Sequence, residues 1–149
     1  MADRNVSPFF PGEELLRASA PLTASFVELR PIEVPRLVEV TLGLTYTRGA
    51  AGGFAELRLD WSLDGADGSW FSEVAVDPAV AVTQPDGAIA FYRGVLTLPQ
   101  PADGEPLALL SPRIVRPAGR RFLRVSVREG SGLAVGSLAV SASFEIVQR

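Results

Sequence analysis

From residue 22 onward, apolar side chains return at every second position, and this period decides what the chain can fold into. Val40, Leu42, Leu44 and Tyr46 alternate with Glu39, Thr41, Gly43, Thr45 and Thr47. Leu57, Leu59 and Trp61 alternate with Glu56, Arg58 and Asp60, and Leu123, Val125 and Val127 alternate with Arg124, Ser126 and Arg128. Near the end, Leu138, Val140, Ala142, Phe144 and Ile146 share one side, opposite Ala139, Ser141, Ser143 and Glu145. In an extended strand successive side chains point to opposite faces, so such a segment buries one face and wets the other. A helix would need apolar residues three and four apart, and these segments lack that spacing.

About eight strands follow, over residues 22–29, 37–47, 54–62, 69–76, 88–98, 112–117, 121–128 and 137–147. Glycine and proline separate them at 48–53, Asp64-Gly65, 85–87, 99–106, 117–119 and 130–132. Residues 48–53, 77–87 and 99–111 read as the longest loops. The segment 88–98 is apolar on both faces, which suits a central strand or one that faces a partner. Many short strands with frequent turn signals and one polar face each predict an all-β fold. The architecture expected is an antiparallel β-sandwich, jelly-roll-like.

Two parts are expected: an extended N-terminal arm over 1–21 and the sandwich domain over 22–149. Pro8, Pro11, Gly12 and Pro21 punctuate the arm, Phe9 and Phe10 stand side by side in it, and residues 13–18 have room for one helical turn at most. An arm of this kind gains order by docking on its own domain or on a neighbour.

The chain has no Cys, no His and no Lys; all fourteen basic residues are Arg. Disulfides, thiolate nucleophiles, thiolate zinc sites, His-based triads, Schiff bases and P-loops are thereby excluded. No cofactor is expected. The first residues lack the basic-then-apolar order of a secretory signal, and no apolar run is long enough to span a bilayer as a helix. The expectation is synthesis in the cytoplasm followed by incorporation into a particle, with no membrane partner.

Charge is uneven. Residues 1–75 carry six Arg and eleven acids, net −5; residues 76–149 carry eight Arg and six acids, net +2. Six Arg and no acid lie from Arg113 to Arg128. A solvated strand face explains this stretch most simply. An anionic partner is the sharper alternative, an acidic neighbouring subunit before nucleic acid, because the whole chain is acidic.

The most specific local feature runs from Trp61 to Trp70, Trp-Ser-Leu-Asp-Gly-Ala-Asp-Gly-Ser-Trp. Asp-Gly pairs tolerate positive φ and reverse the chain, and Ser62 and Asp64 can cap local N–H groups. This hairpin, followed by an alternating strand, resembles one in discoidin-like, galactose-binding-type β-sandwiches. Arg120-Arg-Phe-Leu-Arg-Val-Ser-Val-Arg128 is similar to a late strand of the same group, and related pieces occur in phage head and tail structural proteins. The resemblance covers roughly 40–77 and 119–147 and implies a sandwich fold in which the hairpin is scaffold.

Three chemistries compete with plain packing. Asp60, Asp64, Asp67 and Asp77 could offer oxygen ligands to Ca²⁺, but Asp in a tight turn is ordinary turn chemistry. Glu56, Asp60 and Glu73 could pair as glycosidase carboxylates, yet they fall where a strand's polar face is expected. Trp61, Trp70, Phe71, Tyr46 and Tyr92 could form a sugar platform, but Trp61 shares the face of Leu57 and Leu59 and belongs to the core, whereas one of Trp70 and Phe71 must face outward. The expected role is therefore structural and not enzymatic: a subunit of a phage-like particle, tail or injection device, in contact with copies of itself or with other structural subunits. Its candidate contact residues are Phe9, Phe10, Leu15, Leu16, Trp70, Phe71, Arg120, Arg121, Arg124 and Arg128. A carbohydrate-binding module, with a glycan as partner, is the alternative.

Overall fold

The structure, a computed structural model, describes residues 12–66, 70–72, 80–84, 87–92, 94–98, 106–111, 113–117 and 119–146. It is all-β, with thirteen strands among the described residues: β1 Glu13–Pro21, β2 Val27–Glu28, β3 Ile32–Glu33, β4 Val38–Thr47, β5 Ala55–Ser62, β6 Trp70–Ser72, β7 Val80–Gln84, β8 Gly87–Tyr92, β9 Val95–Thr97, β10 Leu107–Leu110, β11 Ile114–Val115, β12 Phe122–Glu129 and β13 Ser137–Ile146.

Two antiparallel sheets form a sandwich. The first has the order β1-β13-β4-β10, with β11 continuing β10 along β4. The second has the order β2-β12-β5-β9-β8-β7, with β3 also on β12 and β6 also on β5. The chain passes from sheet to sheet except from β2 to β3, along β5–β9 and from β10 to β11. Merging β2 with β3, β6 with β9 and β10 with β11, and setting apart the hairpin β7–β8 that extends the second sheet beyond β9, leaves two four-strand sets in which the first strand pairs with the last. That interleaving is the jelly-roll arrangement.

The alternation read from the sequence places the core correctly. Val40, Leu42, Leu44 and Tyr46 of β4, Leu57, Leu59 and Trp61 of β5, Leu123, Val125 and Val127 of β12 and Leu138, Val140 and Ala142 of β13 are all buried between the sheets. Register follows: β13 pairs with β4 from Ser137↔Thr47 to Ile146↔Val38, and β12 pairs with β5 from Phe122↔Ser62 to Glu129↔Ala55.

Several boundaries differ from expectation. Residues 13–18 form no helical turn; Glu13–Pro21 is the edge strand β1 on β13. Glu-Glu-Leu-Leu-Arg-Ala has good local helix propensity, but the open edge of β13 supplies strand partners, and the inward Leu16 packs on the core. Docking of the arm on its own domain is thus realised for residues 13–21, while residues 1–11 lie outside the described residues. The strand expected over 22–29 shrinks to Val27–Glu28 and is followed by Ile32–Glu33. The segment 88–98 is two strands, because Gly94 at φ 81° turns the chain into a hairpin of β8 and β9. β7 lies within the loop expected over 77–87, and β10 within that expected over 99–111. The strand expected over 112–117 is reduced to Ile114–Val115. Eight strands is therefore an undercount of segments, although eight strand positions, extended by the hairpin β7–β8, describe the sandwich.

Candidate functional site

The sandwich presents two outer faces of opposite chemistry. On the second sheet, Arg124 and Arg128 project outward from β12, opposite Asp60 and Glu56 of β5. Arg128 meets Glu56 at 2.7 Å, and Arg124 meets Asp60 at 3.2 Å and Glu28 at 3.3 Å. Arg58 meets the same Asp60 oxygen at 3.3 Å. Aromatic rings cover these cations: Phe26 lies 4.3 Å from the Arg128 guanidinium and 4.7 Å from that of Arg58, and Trp70 lies 4.5 Å from that of Arg124. Beyond this ladder Arg121 pairs with Glu33 at 2.6 Å, and on the first sheet Arg113 pairs with Glu39 at 3.5 Å. The Arg-rich stretch is thus largely neutralised by acids from the first half of the chain. Cross-strand pairing, invisible in the local charge count, answers the unevenness.

This arrangement uses the carboxylates considered for chemistry. Glu56 and Asp60 are engaged by Arg in the ladder; Glu73 lies outside the described residues. Asp64 caps its own turn, accepting from Ala66 N at 2.9 Å, and Ser62 Oγ accepts from Gly65 N at 2.8 Å. Gly65 at φ 78° supplies the reversal. Asp67 and Asp77 lie outside the described residues, among which no three acids gather as a metal site would require.

The outer face of the first sheet is different. Thr41, Gly43, Thr45 and Thr47 of β4 stand beside Ser143, Ser141, Ala139 and Ser137 of β13. Leu15 of β1 pairs with Ser141, and Leu110 of β10 pairs with Gly43, so Leu15, Ser141, Gly43 and Leu110 form one row across four strands. The two leucines are 62% and 61% exposed. Between them runs a groove of about 520 Å³, floored by Gly43, Ser141, Thr45 and Ala139. The floor is low because Gly43 has no side chain; a Cβ there would stand 2.7 Å from Ser141 Oγ. Val115 adds a third exposed apolar side chain near one end of the face.

One end of the sandwich is closed by a buried carboxylate. Glu129, the last inward-facing residue of β12, accepts from Tyr46 Oη at 2.7 Å, Gly136 N at 2.9 Å, Phe54 N at 3.2 Å and the Ser131 hydroxyl. Burial alone would raise its pKa, but these donors outweigh burial and hold it below the ordinary value. Burial, reinforced by the Glu129 bond and charge, pushes the Tyr46 phenol well up, so Tyr46 remains a donor. The clasp joins β4, β12 and the loops 48–54 and 130–136. Gly136 is obligatory there, because a Cβ would collide with the Thr47 carbonyl and the Tyr46 ring.

The candidate contact residues divide among these places. Leu15 is exposed beside the groove, whereas Leu16 on the opposite side of β1 packs against the core. Phe71 is 57% exposed, with the Arg120 guanidinium 4.8 Å from its ring, and Trp70 is half-buried beneath Arg124. Arg121, Arg124 and Arg128 are engaged as described. Phe9 and Phe10 lie outside the described residues. Sequence reasoning passed over Leu110, Gly43 and Ser141, although the apolar run Leu107-Ala-Leu-Leu110 was a strand signal inside the segment read as loop. It also passed over Glu129, whose even spacing after Leu123, Val125 and Val127 marks it as inward-facing. No protein-family model, curated protein or solved structure matches this chain.

Proposed function

We propose that this chain is a non-enzymatic structural subunit that acts through protein–protein contacts, as part of a phage-like particle, tail or injection device. The observation that carries the reading is the outer face of the first sheet, uncharged across its middle while Leu15, Leu110 and Val115 stand 60–62% exposed. Apolar exposure gathered on one face of a protein favours contact with another protein. Among its described residues the second sheet, by contrast, pairs most of its charges internally. The resemblance of roughly residues 40–77 and 119–147 to discoidin-like sandwiches, similar pieces of which occur in phage head and tail proteins, gives further support.

The test is assembly. The purified full chain should sediment as a defined oligomer or cosediment with a particle in its source cells. Deleting residues 1–11, which spares β1, should weaken that assembly through loss of Phe9 and Phe10. A chain that sediments alone as a monomer in both settings overturns the proposal. The exposed Phe71 ring beside Arg120 keeps a second reading open, a carbohydrate-binding module that stacks a sugar on an aromatic face. Saturable binding on a glycan array that is lost in Phe71→Ala would favour it; silence across a broad array would remove it.

A further inference from the structure

We infer that the outer face of the β1–β13–β4–β10 sheet packs on the same face of a second copy of this chain, about a two-fold axis lying along the row Leu15–Ser141–Gly43–Leu110. This rests on the assembly reading and names the surface and partner it uses.

Three features fix the arrangement. The row lies at mid-face: Gly43 is midway between Glu39 and Thr47 on β4, and Ser141 is midway between Ser137 and Glu145 on β13. Acids gather at one end, where Glu39 and Glu145 are cross-strand neighbours and Glu13 stands beside Ser143, three acids against the single Arg113 that pairs with Glu39. Two copies packed with their strands in the same direction would press these acids together, and like charges in contact destabilise. An axis along the row reverses the strands. Glu39 and Glu145 of one copy then lie over Thr47 and Ser137 of the other, whose hydroxyls can donate to carboxylates. The same axis sets Leu15 on Leu15 and Leu110 on Leu110, so both exposed leucines are buried by an isologous contact.

The size is adequate. Four strands about 4.8 Å apart, ten residues each in β4 and β13, nine in β1 and six in β10 with β11, give a projected footprint of roughly 570 Å² at about 3.4 Å per residue. Accessible surface exceeds its projection, so the face approaches the about 800 Å² per partner of a standard stable interface.

The experiment is sedimentation velocity on the full chain over a wide concentration range. Wild type should run at twice the chain mass. The double variant Leu15→Glu/Leu110→Glu should run at half the wild-type mass with an unchanged far-ultraviolet spectrum. Thr45→Arg, a substitution at an exposed position of the same face, should do likewise and serves if the double variant fails to fold. Leu63→Glu, at an equally exposed leucine in the β5 hairpin, should keep the wild-type mass. An oligomer that survives both face variants overturns this inference while leaving the assembly reading intact. A wild-type monomer at every concentration also overturns it, and cosedimentation with a particle then decides the assembly reading separately.

Discussion

Replacing Glu129 by glutamine removes a buried negative charge at almost constant shape, and the structure sets the cost. One carboxylate oxygen accepts from Tyr46 and Gly136, the other from Phe54 and Ser131. An amide has a single acceptor oxygen. Whichever way the new amide is turned, its NH₂ group faces a backbone N–H, either that of Phe54 or that of Gly136. A buried unsatisfied donor costs about 1–3 kcal/mol, and the remaining bonds lose the strength that an ionised acceptor lends them. The sum is about 3 kcal/mol, or about 9 °C in Tm for a domain of this size. The sign with pH follows from the depressed pKa. The native state favours the carboxylate, so this stabilisation is fully present above the ordinary value of 4.5 and is lost as pH falls toward the lower folded value. Each unit of pH traversed removes about 1.4 kcal/mol. Urea titrations followed by tryptophan fluorescence at pH 7 and pH 3 measure both quantities. The gap between wild type and Glu129→Gln should be about 3 kcal/mol at pH 7 and shrink by up to about 2 kcal/mol at pH 3. A gap below about 0.5 kcal/mol at pH 7, or one that widens in acid, refutes the argument.

The other predictions concern packing, charge and backbone. Leu42→Ala, at a position with no exposed surface, should lower unfolding free energy by about 2–5 kcal/mol through lost burial and a cavity, read from urea midpoints at constant m. Arg124→Leu should cost about 2–3 kcal/mol because the Asp60 side chain, 5% exposed, keeps only part of its compensation. Arg121→Ala, which breaks a bridge between side chains 53% exposed, should stay within about 0.5 kcal/mol; equal losses for the two would contradict the burial assigned to Asp60. Leu37 sits at φ 63°, a conformation that costs an L-residue about 1–2 kcal/mol. Leu37→Gly should therefore raise Tm or leave it level, and a clear fall would mean that the exposed Leu37 side chain is buried by something beyond this domain.

The fold was more legible than the groove on its outer face. Trp61 was assignable to the core from its even spacing after Leu57 and Leu59, and one of the Trp70–Phe71 pair had to emerge; Phe71 does. The turn at Ser62–Gly65 was equally legible, because its capping bonds span only three residues. Leu15, expected as a contact residue, stands exposed, but Leu110 in the opposite groove wall is 95 residues away. Nothing local joins them. The Arg stretch reads as a strand face, but its acid partners were not legible locally: Arg128 and Glu56 are neighbours only across β12 and β5.

Local order along the chain determined which side chains face inward, because alternation in a strand is enforced by the geometry of each residue and its two neighbours. Position in space determined the rest. That β1 closes against β13, that four donors converge on Glu129, and that Leu15, Ser141, Gly43 and Leu110 line up across four strands are consequences of register between distant segments. Register is set when hydrophobic faces and turns are satisfied together, so it belongs to the folded whole and to none of its segments alone.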